Sequence, residues 1–271
     1  MKAGFNPARR NRNIGTARQG HGKDNKLVIP AVCGEARRWA EILGPHRVFQ
    51  RSAEGREIIF IVEETSAGCV HACTVDDIRH LLANIPLQDW DGLDTVVLRQ
   101  STRKQRVLNP VWGRLFYSAD LGLPRRATVR LGPAVMLEAQ DPKAVIEWSS
   151  SLDPVAVAEL ERLRADGHEI SRNGRSLRIS TTPASLRATQ LYRTLLHEIG
   201  HWVDYLEKVE RPAGDDDAKW AELNKAYFSQ SKDEREAFAH RYADATRDRL
   251  VKIGVLPFEP RPLLMKKPSL S

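Results

Sequence analysis

The sequence has few cysteines and no long hydrophobic run. Its three cysteines in 271 residues are an odd number and too few for a disulfide framework, which favours a reducing compartment. No apolar stretch approaches the length of a membrane span, and the N-terminus lacks the hydrophobic region of a signal peptide. We therefore expect one globular protein with a substantial core, resident in the cytoplasm. An export route that needs no signal peptide would leave no trace in the sequence.

Excess charge is also scarce outside the N-terminus. Residues 1–26 contain seven lysines and arginines against one aspartate, a net charge of +6 out of the formal +7 of the whole chain. Together with several glycines and asparagines, this predicts a disordered basic tail. Such a tail can bind nucleic acid or an acidic partner through counterion release. The alternative is a solvated tail without a partner, because only Phe5 could stack on a base.

The segment 195–205 carries the chemistry. On a helix, His197 and His201 lie about 40° apart with Glu198 beside them. The opposite side of the helix is apolar: Leu195, Ile199, Trp202, Val203 and Leu206. Two imidazoles, one further ligand and an open position make up a catalytic zinc site, and Glu198 is placed to take a proton from a metal-activated water. The alternative is an ordinary amphipathic helix with two histidines one turn apart.

The third ligand is not fixed by this helix alone. The metzincin spacing would use Glu207, but Asp204 stands where that pattern has a glycine, so we expect the helix to continue and carry Glu207 away. A second helix further along offers Glu236, in a segment whose small residues would allow close helix packing. By position alone, Glu222 and Glu234 compete with Glu236.

The two segments together resemble a known family. HEIGHWVDY, followed after an acidic linker by EAFAHRYAD, is similar to the gluzincin clan, in particular to the peptidase domain of anthrax lethal factor and its bacterial relatives. The resemblance covers mainly residues 190–246. It implies that His197 and His201 bind the metal, that Glu198 is the general base and that Glu236 is the third ligand.

The sequence departs from that family at two positions. His240 stands where the relatives tend to have glutamate. Ser229 falls near a tyrosine that assists the transition state in lethal factor, and Tyr227 lies two residues away. We therefore assign the role of the catalytic phenol to Tyr227 by resemblance.

Two further groups have a less specific pattern. Asp204 is interpreted as a carboxylate that orients a ligand imidazole, or otherwise as an exposed helix charge. Cys69, His71 and Cys73 have a spacing that could contribute to a second metal site, with Cys33 joining only through the fold. Ordinary buried thiols are the alternative.

The predicted fold class is α+β. We expect a zincin-like domain over 86–256, with a small mixed sheet and an active-site helix over 190–207. It would follow a small α+β accessory region over 27–85, and 257–271 would form a C-terminal tail. Strand patterns cover 47–51, 56–63, 94–100, 112–118 and 128–139. Helices are predicted over 34–43, from Thr74 to before Pro86, and over 154–165, 219–228 and 233–251.

An insertion and a substrate-binding edge complete the prediction. Residues 141–190 look like an insertion with a helix and a hairpin around Asn173-Gly174, which could act as a flap over the cleft. By analogy with other zincins, 112–117 or 128–137 would be the sheet edge that pairs with an extended substrate.

The predicted function is a zinc-dependent metallopeptidase that cleaves a protein or peptide substrate and needs Zn²⁺. One alternative keeps the metal in a regulatory or nucleic-acid-associated protein that uses the basic tail. The other is a non-catalytic structural zinc protein, which would have no use for Glu198 beside two ligands.

Overall fold

A five-stranded mixed sheet forms the centre of the protein. The computed structural model describes residues 40–108, 111–123 and 128–262. The sheet order is β1-β2-β3-β5-β4, with bounds β1 His46–Ala53, β2 Arg56–Glu63, β3 Thr95–Arg99, β4 Gly113–Gly122 and β5 Thr128–Glu138. Strands β2, β3 and β5 run parallel, whereas β1 and β4 pair antiparallel at the two edges. This is the small mixed sheet expected for the α+β class.

The sheet is buried on both faces at its centre. All five residues of β3 are buried, as the continuous apolar pattern of a central strand requires. The larger core lies on the face that meets the helices and contains Phe60, Val96 and Leu137. A smaller cluster around Ile61, Val97 and Met136 covers the other face.

Helices flank the sheet, and several of them pack on the larger core. Their bounds are α1 Val75–Leu82, α2 Arg103–Leu108, α3 Pro154–Ala165, α4 Pro183–Arg187, α5 Leu195–Tyr205, α6 Arg211–Ala213, α7 Asp217–Ser229 and α8 Lys232–Lys252. π-helical turns at Ala188–Thr194 and Leu206–Glu210 join α4, α5 and α6, and a 3₁₀ turn spans Leu87–Trp90. Thr74 and Asp216 are the N-caps of α1 and α7, and their side chains accept hydrogen bonds from the backbone N–H groups of Asp77 and Lys219.

The insertion has its own small sheet. Strands β6 Val145–Ser149, β7 Glu169–Asn173 and β8 Ser176–Ser180 pair in the order β6-β8-β7, and α3 has the predicted bounds. Gly174 has a positive φ of 59° in the β7–β8 turn, which explains the Asn-Gly pattern there. Leu160, Leu163 and Ile179 form its core.

Several boundaries differ from the sequence-based expectations. The strands of the predicted region 27–85 join the same sheet as those of 86–256, so the sheet crosses the boundary at 85. The helix predicted over 34–43 does not reach its last residues, because Ile42 bridges to Gly122; residues 34–39 lie outside the described residues. The start of the predicted tail packs on the fold, where the Phe258 ring contacts His80. The 1–26 and 263–271 segments lie outside the described residues.

Candidate metal centre

The histidines and Glu236 come together from two helices. His197 and His201 lie one turn apart on α5, and Glu236 lies on the first turns of α8. Glu236 Oε2 is 3.2 Å from His197 Nε2 and 3.6 Å from His201 Nε2. In the described residues, this trio is the one group of His, Cys, Asp and Glu side chains close enough to hold a metal ion.

The donor atoms have the spacing that a small cation requires. Two ligand atoms that are each about 2.1 Å from a tetrahedral zinc ion lie roughly 3.4 Å apart, which agrees with both distances. Hydrogen bonds from His197 and His201 hold the pKa of the Glu236 carboxyl well below its usual range. The residues therefore present two imidazole nitrogens and a carboxylate oxygen to one point, a donor set that fits Zn²⁺.

A close helix crossing sets this geometry. A Cβ atom at Gly200 would lie 3.0 Å from both Cα and the carbonyl oxygen of Ala239, and 3.1 Å from Tyr242 Cβ. Gly200 lies between the two histidines in the sequence, and Ala239 lies one turn after Glu236. Because Gly200 has no side chain, α5 and α8 can approach closely enough for the imidazoles and the carboxylate to meet.

Glu198 is buried beside the trio. Burial raises the pKa of Glu198, and the neighbouring His197 and His201 partly oppose this shift. The backbone amide of Leu115 on β4 also acts to lower the pKa of Glu198, so this strand lies close to the carboxylate. This carboxylate therefore lies beside a strand and next to the metal ligands, where a general base would be needed.

The strand that contacts Glu198 is a sheet edge. Among the described residues, strand β4 pairs with β5 on one side, and on the other side it is contacted at its far end, by the bridge from Ile42 to Gly122 and by Glu41 Oε1, which accepts a hydrogen bond from the Asp120 amide. It also packs against α5. Of the two predicted substrate-binding edges, 112–117 coincides with β4. The other, 128–137, is wrong as an edge because β5 lies between β3 and β4.

Tyr227 is not brought to the trio. Its side chain is 1% exposed, and its hydroxyl lies 3.1 Å from the hydroxyl of Tyr117. Burial, with the hydrogen bond to Tyr117, raises the pKa of Tyr227 far above its usual range. It packs in an aromatic cluster with Tyr205 and Phe228. No contact among the described residues supports the catalytic role that the resemblance implied for Tyr227.

Asp204 also has a different partner from the one expected. It is fully buried, and its Oδ1 lies 2.7 Å from Lys208 Nζ. The Nδ1 atoms of His197 and His201 are buried without a hydrogen-bond partner among the described residues. The prediction that Asp204 orients a ligand imidazole is therefore wrong.

The other candidate ligands lie elsewhere. Glu207, Glu222 and Glu234 are exposed and outside the trio. Helical structure continues past Asp204, as expected from the missing glycine.

The Cys-x-His-x-Cys segment does not form a metal group in the described part of the chain. Burial raises the pKa of Cys73 to about 12, and His71 Nε2 lies 2.8 Å from the carbonyl oxygen of Glu63. Cys69 and Cys73 are free thiols, and Cys33 lies outside the described residues.

A cavity of about 330 Å³ opens beside the trio. His197, Glu198 and His240 line one side of it. Trp112, Trp148, Glu159 and Arg193 line it as well. The insertion thus forms part of the cleft wall, through Trp148 of β6 and Glu159 of α3.

Most of these lining residues belong to no motif that could be recognised in the sequence. Arg193 precedes His197 by four positions, so helical spacing alone would have placed it on the same face. Trp148 and Glu159 lie some distance away along the chain, and no motif connects them to the histidines.

Comparisons with known proteins add no relative. A scan against protein-family models, a search of curated proteins and a search of solved structures each give no match. None of the helices described is long and apolar enough to cross a membrane.

Proposed function

We propose that this protein is a zinc-dependent metallopeptidase of the gluzincin type, with a zincin-like domain similar to the lethal factor peptidase. The observation that carries the proposal is the meeting of His197, His201 and Glu236 around one point, with Glu198 buried beside them. The fold class and the helix crossing support it, since both ligand segments come from helices packed under a mixed sheet.

Three of the side chains would bind the metal, and Glu198 would transfer the proton. His197 Nε2, His201 Nε2 and the Glu236 carboxylate would hold the metal. A zinc ion held there would supply Lewis-acid chemistry, lowering the pKa of a water molecule and polarising a carbonyl group. Glu198 takes a proton on its carboxylate from the attacking water and passes it to the leaving amine, as general bases do in this chemistry.

The position of β4 provides a place for the substrate. An extended peptide added to an open sheet edge gains backbone hydrogen bonds without any particular side chain. Strand β4 presents such an edge next to Glu198, which the Leu115 amide contacts. A peptide bound along β4 would therefore pass the metal ligands, and this supports a peptide or protein as the substrate.

The two alternatives lack a comparable observation. A structural zinc site needs no buried carboxylate that contacts a strand amide beside the ligands. A nucleic-acid-associated role would depend on the basic segment 1–26, which lies outside the described residues.

The decisive variant is Glu198→Gln, because it preserves side-chain volume and leaves all three ligands in place. We expect the variant to retain its zinc and to lose at least about 100-fold of the cleavage rate on a quenched fluorescent peptide library. Glu207→Gln is the matched control, since Glu207 lies exposed on the next helical turn. Unchanged cleavage by zinc-loaded Glu198→Gln would overturn the proposed mechanism.

A further inference from the structure

A network of arginines and carboxylates lies at the wall of the cavity beside the proposed metal ligands, where Arg193 and Glu159 line it. Arg193 donates through Nη1 to both carboxylate oxygens of Glu159, at 2.8 and 3.0 Å, and through Nε to Asp166 at 2.6 Å. Arg162 lies 3.5 Å from Glu159, and Arg247 lies 3.4 Å from Asp166. Three arginines therefore meet two carboxylates in this network, and Arg193 is the member with a guanidinium group that lines the cavity.

One guanidinium nitrogen in this network has no partner. The Arg193 side chain is 10% exposed, and its Nη2 is buried without a hydrogen-bond partner among the described residues. A guanidinium has five N–H donors, and leaving a charged donor unpaired in a buried site costs free energy. Arg193 lines the cavity, so an acceptor oxygen of a ligand in the cavity would satisfy Nη2.

A second side chain that lines the cavity, His240, also makes no hydrogen bond to the described residues. His240 lies one turn after Glu236, and its ring centroid is 4.4 Å from that of His197. No hydrogen bond joins its ring nitrogens to the described residues, and its ring lines the cavity.

The apolar part of the cavity matches the rest of a ligand. Trp112 and Trp148 are both half-buried and line the same cavity as His197 and Arg193. Cavities of roughly 300 Å³ and above, with apolar walls and a few polar groups, are typical of small-ligand sites. The carbon atoms of one amino-acid residue would lie against the indoles while its charged end reaches Arg193.

We propose that this cavity is a subsite for a carboxylate of the substrate, with Arg193 as its main hydrogen-bond donor and His240 beside it. The inference rests on the proposed peptidase function, because it names what the bound peptide must contain near the cleaved bond. The carboxylate has two sources in a peptide: an aspartate or glutamate side chain, or the free C-terminus.

The test uses four matched hydroxamates, which bind through the metal and place the neighbouring residue in the cavity. They carry either a glutamate or a glutamine side chain, each with a free or an amidated C-terminus. Calorimetry on the zinc-loaded full chain measures their dissociation constants. Because a charged hydrogen bond contributes about 1.5–3 kcal/mol, the best carboxylate compound should bind roughly 10- to 100-fold more tightly than the compound without a carboxylate.

Which compound gains identifies the source. A gain with the glutamate side chain indicates an acidic residue beside the cleaved bond, and a gain with the free C-terminus indicates cleavage near a chain end. Equal binding of all four compounds would overturn the subsite and leave the metal site standing. Binding of none would overturn both the metal site and this inference.

Two variants connect the gain to the arginines. Arg193→Lys keeps a positive charge near Asp166 but removes the free Nη2, and we expect it to lose most of the carboxylate advantage. Arg162→Gln tests the charge alone if Arg193→Lys fails to fold, and a loss of about 2- to 5-fold is expected at low salt. Arg164→Gln is the matched control, because Arg164 pairs with Glu161 on the exposed side of the same helix. An advantage that survives both Arg193→Lys and Arg162→Gln would contradict the assignment.

Discussion

The Glu198 carboxylate is subject to opposing effects. Burial raises its pKa, whereas the two imidazoles and the Leu115 amide stabilise the charged form, and the raised direction prevails. A general base is most effective when its pKa approaches the working pH. Burial therefore brings the pKa of Glu198 closer to that of an effective general base, whereas an exposed glutamate on the same helix would not have this shift.

A substitution at Tyr227 distinguishes a structural role, which its burial indicates, from the catalytic role that the family resemblance implies. In Tyr227→Phe the hydroxyl of Tyr117 loses its partner, so we expect the free energy of unfolding to fall by about 1 kcal/mol. Because Tyr227 makes no contact with the trio, the cleavage rate should change less than about 3-fold, whereas removal of an oxyanion donor costs about 100-fold or more. Urea unfolding and peptide cleavage measure the two quantities.

Tyr205→Phe is the control for this variant, since its hydroxyl bonds Asn224 in the same aromatic cluster. If cleavage slows by about 100-fold or more in Tyr227→Phe alone, with zinc retained, the catalytic assignment is restored.

Individual residues differed in how far the sequence could place them. The spacing of His197, Glu198 and His201 fixes their common helix face, so they could be assigned without a structure. The direction in which Tyr227 or Asp204 points depends on how α7 and α5 pack, and positions two residues apart on a helix face nearly opposite sides. A pattern two residues away from a family position therefore could not decide whether Tyr227 enters the cleft.

Among the elements of the fold, the crossing of α5 and α8 sets the geometry of the proposed metal site. The two helices bring ligands that are far apart in sequence to within hydrogen-bond distance, and Gly200 is the point of closest approach. The atoms that a new Cβ would meet are mostly backbone, and backbone cannot move aside as the end of a side chain does. The helices themselves would have to separate.

Gly200→Ala should therefore weaken the site without touching a ligand. We expect a loss of about 1–3 kcal/mol in the free energy of unfolding from overpacking, partly offset by the better helix propensity of alanine. The zinc dissociation constant should rise about 10-fold or more, because Glu236 would shift away from the imidazoles. Chelator competition measures the zinc affinity, and urea unfolding measures the stability.

Ala237→Ser is a matched control on the exposed side of α8. If Gly200→Ala binds zinc as tightly as the wild type, the crossing does not set the ligand spacing.

Elements with strong local patterns could be predicted, and their arrangement could not. The α3 helix, the hairpin around Gly174 and the strands β2 and β5 appear close to their predicted bounds because capping, turn and alternation are local. The strand order places β5 inside the sheet and β4 at its edge, a pairing that depends on contacts distant in sequence. The choice between the two candidate edges therefore required the fold.

In the molecule as a whole, the insertion over 141–190 and the helices α5 and α8 line one cleft. Asp166 is buried and bonds Arg193 and Arg247, so α3 is joined to the segments that precede α5 and follow Glu236. The sequence predicted a helix and hairpin over 141–190 and a flap as their role. In the structure these residues form a wall that carries Trp148 and Glu159 to the metal ligands.

The proposed function depends on the binding of zinc by His197, His201 and Glu236. Elemental mass spectrometry on protein purified without added zinc tests it most directly, alongside Glu236→Ala and the exposed neighbour control Glu234→Ala. We expect about one zinc per chain in the wild type and in Glu234→Ala, and a large loss in Glu236→Ala. A wild-type protein that takes up no zinc at neutral pH, or a Glu236→Ala variant that retains it fully, would contradict the account.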